Sequence, residues 1–130
     1  MVIDTSALLA LLFHEPDWKE FAVAIDEDPI RLVSSVSVFE ASMVAVARLG
    51  PDGIDELDLL LARIEIEKRP FQSLDLPHVR DAYLRYGKGR HPASLNFADC
   101  FSYALARVSG EKLLFKGQDF AQTDIQPVLV

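Results

Sequence analysis

Met1-Val2-Ile3-Asp4-Thr5-Ser6-Ala7-Leu8-Leu9-Ala10-Leu11-Leu12-Phe13 opens the chain, and the reading of this stretch decides the fold. Three apolar residues make a short strand, and the apolar run over residues 7–13 reads as a buried helix stopped near Pro16. Strands and helices continue to alternate from there, which points to a parallel sheet covered on both faces. In such sheets ligands bind beyond the carboxyl ends of the strands. Asp4 falls at that place, directly after the first strand.

The rest of the chain follows the same rhythm. Asp17 with Glu20 three residues on is a capping-box pattern, predicting an amphipathic helix to about residue 25. Residues 26–29 form a turn and residues 30–34 a second strand. Ser37 and Glu40 make another capping-box pattern, opening a helix to about residue 49 that the Gly50-Pro51-Asp52-Gly53 stretch breaks. Residues 54–64 read as a leucine-rich helix, and the alternation over residues 64–67 as a third strand. Pro77 suits the first turn of a helix reaching about residue 86, before the basic loop Gly87-Lys88-Gly89-Arg90-His91-Pro92. Residues 96–109 form a helix with one apolar face, ended by Gly110. Residues 112–115 give a fourth strand, and residues 127–130 a fifth.

A length of 130 residues, half of them hydrophobic and a quarter charged, fits a single domain over residues 1–130 with one sizeable core. The longest apolar run is far short of the roughly 20 residues of a membrane span. Asp4 stands where a secretory signal would be basic. Cys100 is the only cysteine, so no internal disulfide can form, and a cytoplasmic location is expected. The formal net charge of −7 argues against a protein that coats itself with nucleic acid. It does not argue against an enzyme whose carboxylates hold cations.

Four acids stand out: Asp4, Glu40, Asp99 and Asp119, the last in the loop after the fourth strand. Each also has a purely structural reading. Glu40 can complete the Ser37 capping box and Asp99 that of Asn96, while Asp4 can cap the first helix and Asp119 can be a turn residue. Yet Glu40 shares a helix face with Met43, Val44 and Ala47, and Asp99 shares one with Ser102, Tyr103 and Ala106. Two carboxylates about 4 Å apart repel by roughly 4 kcal/mol at an effective dielectric of 20. Against a domain stability of about 5–15 kcal/mol, converging acids require protons or a cation. Oxygen ligands select hard ions, Mg²⁺ or Mn²⁺ rather than Zn²⁺. His14, His78 and His91 are scattered, and His14-Glu15 lacks the second histidine of a zinc-protease helix. A carboxylate-held Mg²⁺ suits in-line phosphodiester hydrolysis.

At this point the residues resemble a known family. The opening Met1-Val2-Ile3-Asp4-Thr5-Ser6-Ala7, the Glu40 helix, the stretch from Tyr86 to Cys100 and Leu113-Leu114-Phe115-Lys116-Gly117-Gln118-Asp119-Phe120 together resemble PIN-domain ribonucleases. More narrowly they resemble the VapC toxins of VapBC toxin–antitoxin pairs. The resemblance implies a PIN-like three-layer α/β fold, with a short, mostly parallel central sheet flanked by helices. It implies an Mg²⁺-dependent (or Mn²⁺-dependent) endoribonuclease toxin whose metal-binding acids are Asp4, Glu40 and Asp99. Asp119 fits the fourth acid, with Asp124 as substitute, because Gln118 stands where the family often has an acid. Ser6 and Asn96 match supporting positions. The resemblance further implies an RNA substrate, a cognate VapB antitoxin that blocks the site, and a homodimer or toxin–antitoxin hetero-oligomer. The Glu40 helix and residues 57–61 are candidates for antitoxin contact as well as for core.

Arg80, Arg85, Lys88, Arg90 and His91 form the one basic concentration, either a landing strip for an RNA backbone or a solvated face. Two other readings remain open. A phosphatase or receiver-like domain also places acids at strand ends, although Asp4-Thr5-Ser6 lacks the second nearby aspartate. A non-catalytic scaffold of the same fold is the other.

Overall fold

The computed structural model describes all residues from Met1 to Val130. Its strands are β1 (Val2–Ile3), β2 (Leu32–Ser34), β3 (Glu67–Arg69) and β4 (Leu113–Leu114). Its helices are α1 (Thr5–Leu12), α2 (Trp18–Glu27), α3 (Ser35–Leu49), α4 (Gly53–Arg63), α5 (Leu76–Tyr86) and α6 (Phe97–Ser109). The sheet order is β3-β2-β1-β4, and every pairing is parallel. Val2 aligns with Leu32 on one side and Leu113 on the other.

Strand periodicity builds the three layers. Successive side chains of a strand point to opposite faces. Met1, Ile3, Val33 and Leu114 therefore pack into one core with Leu8 and Leu11 of α1, Phe21 and Ile25 of α2, Ala41 of α3 and Leu57 and Leu61 of α4. Val2, Leu32 and Leu113 pack into the other with Ala82 of α5 and Cys100, Tyr103 and Ala106 of α6. The α/β class and the helix-flanked sheet expected from the sequence are found, and the sheet is parallel throughout. No helix is long and apolar enough to cross a membrane.

Several boundaries differ from the sequence reading. Helix α3 begins at Ser35, capped by the Ser34 hydroxyl accepting from the Val36 amide at 3.2 Å. Strand β2 thus passes into α3 without a loop, which makes Ser37 an interior residue and releases Glu40 from capping. Asp17 precedes α2 but makes no side-chain cap bond. The third strand lies at Glu67–Arg69 rather than residues 64–67, because Glu65 adopts φ 49° and turns the chain after α4. All three of its residues are exposed, as suits a charged edge strand. Ile64 and Ile66, which suggested the alternation, pack on the core instead. No fifth strand forms over residues 127–130, where Pro127 makes a single bridge to Leu113. A proline has no amide to donate to a ladder. The capping box at Asn96 and Asp99 is present, and Gly110 closes α6 in the left-handed conformation at φ 72°.

Candidate active site

Four elements bring side chains to one cavity at the carboxyl edge of the sheet. Asp4 follows β1, Glu40 projects from the second turn of α3, Asp119 lies in the loop after β4, and Asp99 comes from the first turn of α6. Together with Thr5, Ser6, Asn96 and Lys116 they line a cavity of about 280 Å³. The six residues singled out from the sequence as acids and their supports are therefore brought together.

Asp4 is held most firmly. Its Oδ2 accepts from the Ser6 amide at 3.0 Å and the Ser6 hydroxyl at 2.7 Å, while its Oδ1 accepts from the Ser102 hydroxyl at 2.6 Å. The Ser102 hydroxyl lies 3.0 Å from that of Ser37, and both serines are fully buried. So Asp4 is at once the N-cap of α1 and a carboxylate, 3% exposed, fixed from two sides. Asp99 has the same double life. Its Oδ2 accepts from the Asn96 amide at 2.9 Å, and Asn96 Oδ1 accepts from the Asp99 amide at 2.8 Å. The capping box fixes one oxygen of Asp99 and sets the side chain's direction.

The electrostatics follow from this crowding. Burial pushes the Asp99 carboxyl up, the Asn96 amide pulls it partly back, and Asp4, Glu40 and Asp119 push it up again, to about 7. Glu40 is also raised, first by burial and then by Asp4, against the Thr5 hydroxyl. A carboxylate that repulsion and burial keep protonated near neutrality is a carboxylate short of a cation. The donor set is all oxygen, which fits Mg²⁺ or Mn²⁺. The four acids line one cavity, and no three acid, histidine or cysteine side chains are grouped closely enough to hold an ion as they stand.

Asp124 is not part of this site. It accepts from the Tyr103 hydroxyl at 2.6 Å and pairs with Arg85 at 3.1 Å and Arg107 at 3.6 Å, which holds its carboxyl below the usual range against the upward push of burial. Arg85 is engaged there too, with Asp81 at 3.6 Å. Lys88 and Arg80 border an apolar groove between α5 and α6 that meets the acidic cavity at Asn96. Arg90 lies over Tyr83 and donates to the Leu84 carbonyl at 3.2 Å. The basic group is thus divided between a structural ion-pair network and a groove rim. Sequence reasoning missed Lys116, on the cavity wall, and the buried Ser37–Ser102 pair; only the one-turn spacing of Ser102 from Asp99 hinted at it.

With this geometry in view, a family model for the PIN domain matches residues 1–126. The chain is also 51% identical over 128 residues to Ribonuclease VapC30 of Mycobacterium tuberculosis, covering 98% of each. The chain belongs to the PIN domain family, among the VapC ribonucleases. Ribonuclease VapC of Mycolicibacterium smegmatis is 49% identical to it over 98% of this chain and 99% of that one. The crystal structure of Mycobacterium tuberculosis VapC20, a Sarcin-Ricin loop cleaving toxin, matches this PIN domain with a TM-score of 0.77 at 14% identity, covering 95% of each chain. VapBC2 from Rickettsia felis, bound to a DNA fragment from its promoter, matches with a TM-score of 0.74 at 12% identity, covering 97% of this chain and 94% of that one. At these identities the two structures bear on the fold, which is that of a PIN domain.

Proposed function

We propose that this chain is a single PIN domain acting as a cytoplasmic, Mg²⁺-dependent endoribonuclease toxin, with Asp4, Glu40, Asp99 and Asp119 as its metal-binding carboxylates. The observation that carries the reading is four carboxylates on one cavity at the carboxyl edge of the sheet, with Asp4 and Asp99 buried. A bound Mg²⁺ would supply charge neutralisation at the phosphoryl oxygens and a more acidic water. The chain's own residues prepare the place. Ser6 and Ser102 orient Asp4, the Asn96 capping box orients Asp99, and Asp119, which makes no cap bond to the helical turn it precedes, faces the same space.

Lys88 and Arg90 suit the phosphate backbone of an RNA, while Arg85 is engaged by acids and offers it less. An antitoxin of the VapB kind has a surface to cover: Phe39 and Met43, 67% and 58% exposed, flank Glu40 on α3. Leu57 and Leu61 are core instead, so Leu59 is the exposed leucine of that stretch. The apolar groove between α5 and α6, with Phe97 76% exposed at its edge, suits a second copy of the chain. Sedimentation of the isolated chain as a monomer at micromolar concentration would remove the homodimer from this account.

The test is cleavage by purified protein. Asp4→Ala is expected to lose RNA cleavage with a native circular dichroism spectrum, and EDTA to abolish cleavage reversibly. Cleavage that persists in EDTA at constant specific activity through purification would overturn the reading.

A further inference from the structure

Lys116 is the only basic residue on the wall of the acidic cavity. Its main-chain amide donates to the Ser6 hydroxyl at 3.0 Å, and that hydroxyl donates to Asp4 at 2.7 Å. The lysine's backbone is therefore tied to the most firmly held carboxylate of the site. Its ammonium forms ion pairs, but with none of the cavity acids. It is clipped from outside by Glu15 at 2.6 Å and Asp17 at 3.7 Å, neither of which lines the cavity. Glu15 reaches this place because His14 takes φ 49°, turning the chain after α1 so that the Glu15 amide donates to the Ala10 carbonyl at 2.9 Å.

We infer that Lys116 is a catalytic residue that contacts a non-bridging oxygen of the scissile phosphodiester, with Glu15 and Asp17 as the residues that position it. This rests on the ribonuclease reading above. A phosphodiester carries one negative charge and gains a second as water adds and gives up a proton. Preformed charge aimed at that gain lowers the barrier without reorganisation. In the step, the bond from the water oxygen to phosphorus forms and the bond from phosphorus to the leaving sugar oxygen breaks. One water proton ends on that leaving oxygen or in solvent, and Lys116 keeps all of its own. A lysine acting only as a clamp between α1 and the loop after β4 would have no such role.

The experiment compares the full chain with Lys116→Met and Lys116→Arg, on an RNA hairpin chosen from a random pool because the unsubstituted protein cuts it. Lys116→Met is expected to lower kcat on the order of 10²-fold, as removal of one charge-stabilising donor does, with KM within about threefold. Lys116→Arg should recover much of the loss, since it keeps the charge. Calorimetric Mn²⁺ binding, measured without RNA, should tighten several-fold in Lys116→Met, because a nearby cation is gone. A clamp that failed would instead weaken Mn²⁺ binding and lower the melting temperature along with activity, and that result overturns the inference. So does a kcat within threefold of the unsubstituted protein. Cleavage by Asp99→Asn, or no hairpin cut at all, would bring down the ribonuclease reading first and this assignment with it.

Discussion

Replacing Asp99 by Asn should stabilise the metal-free protein at pH 8 while destroying its activity. In EDTA the folded Asp99 carboxyl titrates at about 7, against an ordinary 3.8. Between those values the folded protein holds a proton that the unfolded chain has released. Stability therefore falls as pH rises from about 4 to 7 and then levels off. The interval, at about 1.4 kcal/mol per pH unit, amounts to at most about 4 kcal/mol. Asp99 is only 9% exposed, so solvent screening removes little of it. An Asn carbonyl can still accept from the Asn96 amide, which preserves the capping box. The variant should match the unsubstituted protein at pH 4.5 and exceed it at pH 8, by on the order of 10 °C in melting temperature. Urea or thermal melts at both pH values, in EDTA, read this directly. Equal stability at pH 8, or the same difference at both pH values, would refute the claim that Asp99 sits in a repulsive acidic site.

Three further outcomes are expected from the same structure. Metal binding needs the deprotonated carboxylate, so Mn²⁺ affinity by calorimetry should weaken progressively as pH drops below about 7, where Asp99 takes up its proton. An affinity flat from pH 8 to 5.5 would contradict it. Among the basic residues, Lys88→Glu with Arg90→Glu should weaken RNA binding and flatten its salt dependence with little change in melting temperature. Arg85→Glu should chiefly destabilise, by up to about 1 kcal/mol for so exposed a pair, because it leaves Asp124 facing a like charge; equal RNA-binding losses without destabilisation would reverse that division.

The site was more legible in the sequence than the boundaries of its elements. Asp4 could be placed because a strand followed at once by a helix leaves its next residue at the sheet edge. Asp99 was legible as a capping residue, which it is, and from its helix face as a candidate for the site, and its side chain lies on the cavity wall. Glu40 does line the cavity, although the local argument from capping does not hold. Its supposed partner Ser37 belongs to a buried hydroxyl pair with Ser102, and Met43 and Ala47, cited as apolar surroundings, are exposed. Three serines at residues 34, 35 and 37 offer nearly equivalent caps, and only the direct passage from β2 decides between them. Asp119 and Asp124 could not be separated from spacing. What separates them is Tyr103 and Arg85, distant in the chain, which claim Asp124 for an ion-pair network. Lys116 left no signal, because a lysine after a short strand is unremarkable until Glu15 and Ser6 are brought beside it.

The most direct measurement is a crystal of this chain soaked in Mn²⁺, with anomalous scattering recorded at the manganese edge. The account requires a peak inside the cavity, within direct or water-bridged reach of Asp4, Glu40, Asp99 and Asp119. Manganese bound elsewhere, with that cavity empty at millimolar metal and pH 8, would contradict it.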